Sequence, residues 1–261
     1  VQHFLLNRRW LGLLAFVVLF GAVCFRLGLW QIHRLEHRLD RNEVITAHFA
    51  ADPVRLDAAA PPGTTVDEDL EWTRVLLRGT YDPEHAVSVK YTTRDAAPGV
   101  DVVVPLRLDD GTAVLVDRGW MQSDNSNRRP ELPEAPHGEV TVEGWLRPDS
   151  AAGGDAVRVH DGQVRAIDSS GVGEYTGYDL RDGYVNAQAE SPAPATALAA
   201  EPEPELGQGP HFFYALQWWF FGLLGISGYV WFAVQESRDR RAARSRSVQD
   251  DDRALAVTTT P

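Results

Sequence analysis

Two apolar runs, one with a single charge and one with none, constrain this chain more than anything else in it. Residues 10–30, "WLGLLAFVVLFGAVCFRLGLW", and residues 211–234, "HFFYALQWWFFGLLGISGYVWFAV", are both long enough to span a bilayer. At about 1.5 Å per residue, each can cross about 30 Å of hydrocarbon. The one charge, Arg26, lies a turn from Trp30, within reach of the interface by snorkelling. The first run is too long for the apolar core of a signal peptide and no small-x-small site follows it, so it reads as an uncleaved anchor. Arg8 and Arg9 precede it, and Arg238, Arg240, Arg241, Arg244 and Arg246 follow the second run. By the positive-inside rule both termini are expected in the cytoplasm and everything between the runs outside.

The intervening residues, 31–210, carry 16 Lys plus Arg against 32 Asp plus Glu. Such an acidic surface excludes a nucleic-acid partner, which needs a basic face. Arginine outnumbers the single lysine, Lys90, and alanine is abundant, a bias that points to a bacterial plasma membrane. Cys24 is the only cysteine, so no internal disulfide, Cys-x-x-Cys-His haem attachment or dithiol redox chemistry is available.

The expected fold class is an α+β membrane protein in which two transmembrane helices flank an extracytoplasmic, antiparallel β-rich domain. Residues 1–9 read as a cytoplasmic N-terminus, 10–30 as the first transmembrane helix, and 31–50 as its helical stalk. Residues 51–185 hold the β-rich domain, with strand patterns in "WTRVLLRGTY", "AVSVKYT", "VDVVVPLRL", "TAVLVDRGW", "VTVEGWLR" and the weaker "QVRAID". Asp109-Asp110-Gly111 predicts a hairpin, and the two strands it joins, the most apolar pair, are expected at the sheet centre. A small sheet and a partly open barrel both fit. The "GVGEYTG" segment reads as a turn. Residues 186–210, rich in Ala, Pro and Glu, form an extended tether, 211–234 the second transmembrane helix, and 235–261 a disordered cytoplasmic tail.

On a helical wheel His211, Tyr214, Trp218, Gly222, Gly225 and Tyr229 share one side of the second run, flanked by Gln217, Phe221 and Gly228, while Trp219 faces elsewhere. An interfacial aromatic belt accounts for this side, and so does a haem site, with an imidazole for the iron and glycines that admit a flat partner or another helix. His33 and His37 have the i, i+4 spacing of a metal pair, but no third ligand accompanies them and a solvated face explains both. Arg26 and Arg34 could meet haem propionates or lipid phosphates. No His-Glu-x-x-His, nucleophile elbow or P-loop is present, so an enzyme is not expected.

"LGLWQIHR" (27–34), "RGTYDP" (78–83), "PGVDVVVPLRLDDGTAVLVDRGWM" (98–121), "VEGWLRP" (142–148) and "HFFYALQWWF" (211–220) occur in an order and spacing that resemble the surfeit locus protein family, member one. That resemblance implies an assembly factor for cytochrome c oxidase that assists insertion of haem a, bound non-covalently, into the catalytic subunit. It implies His211 as the iron ligand and brings Tyr214, Gln217, Trp218, Arg34 and Trp30 to the site as matching positions. Gln31, Gly119 and Trp120 also match, the last two expected to form a turn and a core plug. The implied partners are cytochrome c oxidase subunits, haem a synthase and the lipid membrane. Two other functions fit the residues: a non-haem scaffold that holds oxidase or supercomplex subunits by the glycine-faced helix and the acidic outer domain, and a membrane-tethered extracellular binding module.

Overall fold

The computed structural model describes residues 7–124 and 128–258, with 247–258 as backbone only. Most of the expected N-terminal segment 1–9, the last three residues of the tail and the side chains of Asp250, Asp251 and Asp252 therefore lie outside the described residues. The chain divides into two units, one of the residues up to Asp40 with those from Leu206 onward, the other of Arg41–Glu205.

The first unit contains most of helix α1 (Arg8–Ala50) and helix α4 (His211–Thr258). The two run antiparallel along a seam. Trp219 lies against Gly28, Gly222 against Cys24, Gly225 against Phe20, and Tyr229 edge-on to Trp10 at 5.7 Å between ring centres. On α1, Val17, Gly21, Cys24, Gly28 and Gln31 recur at alternating spacings of four and three, the period that keeps one stripe facing a partner helix. Val17, Cys24, Gly28, Gln31, Ala215 and Gly222 are buried there. Small residues let two backbones approach closely without help from a hydrophobic driving force. Outward, both helices expose large apolar side chains, among them Phe16, Leu19, Phe213, Phe220 and Leu223.

Among the described residues α1 is the one helix long and apolar enough to cross a membrane by mean hydropathy. The stretch 212–234 of α4 carries no charge, but its Trp, Tyr and Gly content lowers its mean hydropathy. Past it, α4 does not dissolve into the expected disordered tail. The helix continues to Thr258 through residues that favour helix, with an i, i+4 ion pair between Glu236 and Arg240 at 2.6 Å.

Among the described residues the second unit is built on eight strands, with a short helix α2 (Leu56–Ala59) after the first: β1 (Val54–Arg55), β2 (Arg74–Tyr81), β3 (Val87–Arg94), β4 (Ala97–Leu108), β5 (Ala113–Gln122), β6 (Glu139–Arg147), β7 (Gln163–Val164) and β8 (Leu180–Ser191). Their order is β1-β2-β6-β8-β5-β4-β3-β7, and β2 also pairs with β4. That extra pairing, Gly79 opposite Leu108 through Tyr81 opposite Leu106, closes β2, β6, β8, β5 and β4 into a ring. The closure needs a glycine, because a Cβ at Gly79 would stand 2.2 Å from the Arg107 carbonyl oxygen. Of the two architectures open to the sequence, the structure forms the barrel. It is not wholly antiparallel, since β1–β2, β3–β7 and β5–β8 are parallel pairs.

β4 and β5 lie side by side inside the sheet, as their composition suggests. Val102, Val104, Leu106, Val114 and Val116 fill the barrel interior, whereas Val103 and Leu115 face a second core with Val87, Val164, Ile167 and Val172. A strand buried on both faces reads as a continuous apolar run, which explains "VDVVVPL". The second core is covered partly by α3 (Ser169–Thr176), a helix in the segment expected to be a turn. Asp168 caps it by accepting from the Gly171 N–H, and Gly177 ends it in the left-handed region at φ 74°.

The boundary expected at residue 185 is also corrected. β8 runs to Ser191, because Asn186 and Ala187 are buried between β5 and β6, and Asn186 donates to Asp117 at 2.9 Å. The rest of the supposed tether is not free either. Ala199 exchanges two backbone hydrogen bonds with Trp120, at 2.8 and 2.9 Å, and Arg94 donates to Ala199 O, Ala200 O and the Glu201 carboxylate.

Candidate functional site

His211 is the first residue of α4 and follows Gly209, at φ 67°, and Pro210, two residues that suit a chain turning into a helix. Arg38 on α1 donates to Gly207 O and pins this approach. The His211 ring meets α1 directly: Nδ1 lies 2.9 Å from Gln31 Oε1, and Gln31 is almost fully buried. The imidazole itself is half-buried. Histidine and glutamine thus form the polar end of a seam otherwise made of glycine, cysteine, alanine and aromatic side chains.

The other expected site residues divide into separate groups. Tyr214 and Gln217 are exposed on α4, and Trp218 is half-buried, edge-on to Phe221 at 6.2 Å. Trp30 and Arg34 stand off the α1 seam, with the Arg34 guanidinium 5.9 Å above the exposed Trp30 ring. His33 and His37 are exposed, and among the described residues no group of three or more His, Cys, Asp or Glu is arranged to hold a metal ion.

On α4 the glycines take one of their two expected neighbours, and Trp219 departs from its expected side. Gly222 and Gly225 are filled by Cys24 and Phe20 of α1, so they admit a helix and not a flat macrocycle. Trp219, expected to face elsewhere, lies in the seam, where its indole covers Gly28 with Nε1 unpaired. A partner for His211 was the element missing from the sequence reading. The alternating spacing of Gly21, Cys24, Gly28 and Gln31 was the signal that could have supplied it.

The "LVDRGW" segment lies within strand β5 as its pattern suggests, and Gly119 and the half-buried Trp120 continue that strand and do not form the expected turn and core plug. Arg118, fully buried, holds Glu190 by two bonds of 2.8 and 3.1 Å, and Tyr81 donates to the same carboxylate at 2.6 Å. Gly119, at φ 124°, has the Ala199 carbonyl where a Cβ would need to be, and Trp120 covers Gly99. Burial, together with the neighbouring Asp101, pushes the Asp117 carboxyl up to about 8, against the Gly119 N–H that Asp117 accepts. Burial likewise raises Asp101 to about 6 even with Arg94 beside it. These groups organise the barrel, and none lies in the unit that carries His211.

The sequence profile described as "SURF1 family" matches residues 18–223, which takes in the barrel and the part of the seam from Gly21 to Gln31 and His211 to Gly222. The chain belongs to the SURF1 family. An uncharacterised SURF1-like protein of Mycobacterium bovis is 32% identical over 253 residues, 95% of this chain and 92% of its own length. Surfeit locus protein 1 of Takifugu rubripes is 27% identical over 148 residues, 51% of this chain and 60% of its own. Surfeit locus protein 1 of Mus musculus is 28% identical over 147 residues, covering 51% and 47% respectively. The family likeness thus covers both the pair at residues 31 and 211 and the barrel motifs.

Proposed function

We propose that this SURF1-family chain is a two-span membrane assembly factor for cytochrome c oxidase, with its barrel outside the cytoplasm, that handles haem a through His211. The observation that carries the reading is the seated imidazole, a neutral ligand type for haem iron, engaged through Nδ1 with Gln31. The residues fit the group in donor chemistry: His211 would supply a nitrogen for the iron, and Tyr214 and Gln217 are exposed nearby on α4. They do not offer a glycine cradle, because α1 fills it. Bound haem a would supply an iron able to take an imidazole, and the chain's part would be to orient that imidazole. Arg34 and Trp30 provide a cationic, aromatic surface suited to propionates.

Two spans are supported by the apolar side chains that both helices turn away from their seam. In water that exposure is unfavourable, whereas lipid accommodates it. Haem a synthase and the catalytic oxidase subunit are the partners this role requires. The scaffold alternative loses Gly222 and Gly225 of its glycine face to α1, and keeps Gly228 and the acidic outer domain.

A deletion strain separates the functions. Re-expressing the full chain is expected to restore haem a absorbance and oxidase activity in membranes, while His211→Ala restores neither. Full rescue by His211→Ala would leave a scaffold. Normal oxidase in the deletion itself would leave an unrelated binding module.

A further inference from the structure

A neutral imidazole has one ring nitrogen that donates and one that accepts, so whichever group meets Nδ1 decides what Nε2 can do. Here Nδ1 meets an amide oxygen, Gln31 Oε1, at 2.9 Å. An oxygen can only accept, which requires the proton on Nδ1. We propose that Gln31 is a positioning residue that sets His211 as the Nδ1–H tautomer and leaves Nε2 as the ring's unprotonated nitrogen.

Three features of the seam hold Gln31 to this task. It occupies the same stripe as Gly21, Cys24 and Gly28, so its side chain is aimed at α4 and is almost fully buried. The wall beside it is closely packed: Trp219 covers Gly28 and Ala215 is fully buried. Arg38, two turns further along α1, fixes the Gly207 carbonyl just before α4 and limits how far the imidazole can shift. A ligating histidine whose second nitrogen donates to an outer partner has its ring orientation fixed and its basicity raised.

The consequence for haem rests on the function proposed above, but the tautomer does not. A purely structural role, with the polar pair only setting helix register, needs no particular tautomer. If the amide were turned the other way, its NH₂ would donate to Nδ1, the proton would sit on Nε2, and His211 could not ligate a metal through that nitrogen.

The test uses the full chain in detergent, labelled with ¹⁵N-histidine, with the His211 ring signals assigned by their loss in His211→Ala. At a pH where the ring is neutral, wild type and Gln31→Glu are expected to show the Nδ1–H form. Gln31→Met, of similar volume, is expected to lose it. A wild-type Nε2–H ring overturns the proposal, and so does a Gln31→Met ring still protonated on Nδ1. Haem a titration then reads the consequence: Gln31→Met is expected to bind about 10- to 100-fold more weakly, with Gln31→Glu close to wild type. If the tautomers come out as stated and no form binds haem, the Gln31 assignment stands and the haem reading falls.

Discussion

The helix pair and the barrel bury opposite kinds of residue. In the barrel, valine and leucine fill the interior, and the buried polar side chains Arg118 and Asn186 are held by Glu190 and Asp117. In the helix pair, small residues and one histidine–glutamine bond face inward while Phe16, Leu19, Phe213 and Leu223 face out. The first pattern is that of a chain folding in water, and the second is the one that the membrane pair proposed above requires. With both helices in the membrane as proposed, one polypeptide obeys two solvents, and the same substitution should have different consequences in its two halves.

The largest effect is expected in the barrel. Arg118→Met leaves Glu190 buried without its cation and should lower unfolding stability by about 3–5 kcal/mol. Urea denaturation in detergent, followed by hydrogen exchange of β5 and β8, would measure it, with α1 and α4 exchange unchanged.

Acidity gives the next test. Asp117 and Asp101 hold their protons in the fold up to about 8 and 6, whereas an unfolded Asp releases its proton near 3.9. Between those values the folded state binds more protons, so barrel stability should fall as pH rises, by at most about 1.4 kcal/mol per unit for each proton, and level off above 8. Melting from pH 5 to pH 9 checks the sign. A stability that rises over that range would show that the Gly119 and Asn186 donors outweigh burial at Asp117.

How much of this contrast the sequence reveals depends on how local each signal is. The apolar runs, the stalk helix and β2 to β6 follow from periodicity within a few residues. Ring closure does not, because Gly79 opposite Leu108 is a pairing between distant segments. β8 is hidden by its own chemistry: Arg181, Asp182 and Asn186 look like surface residues until Asp110, the Val66 N–H and Asp117 are found to meet them. Alanine and proline beyond Ser191 then pull the whole segment toward a tether. At the candidate site, His211 stands out as a histidine heading a greasy helix, but its partner lies 180 residues earlier and only the α1 spacing hints at it.

A smaller effect is expected in the seam. A Cβ at Gly28 would fall 2.1 Å from the Trp219 Nε1, so Gly28→Val should loosen the helix pair by about 1–3 kcal/mol. Cys24, fully buried beside Gly222, is a ready-made reporter. Its labelling by a membrane-permeant maleimide should accelerate in Gly28→Val and stay at the wild-type rate in Arg118→Met. The smallest effect belongs to the exposed pair Arg78–Glu139, where Arg78→Gln should leave both halves unchanged by the same two measurements.

The claim that the seam presents a metal-binding imidazole is tested most directly by purifying the chain from cells that make haem a. Wild type and Tyr214→Phe should retain haem with the same Soret band, and His211→Ala should lose the band or shift it. An unshifted spectrum at equal haem occupancy in His211→Ala would contradict the account and leave the histidine–glutamine pair as a register-setting contact between two helices.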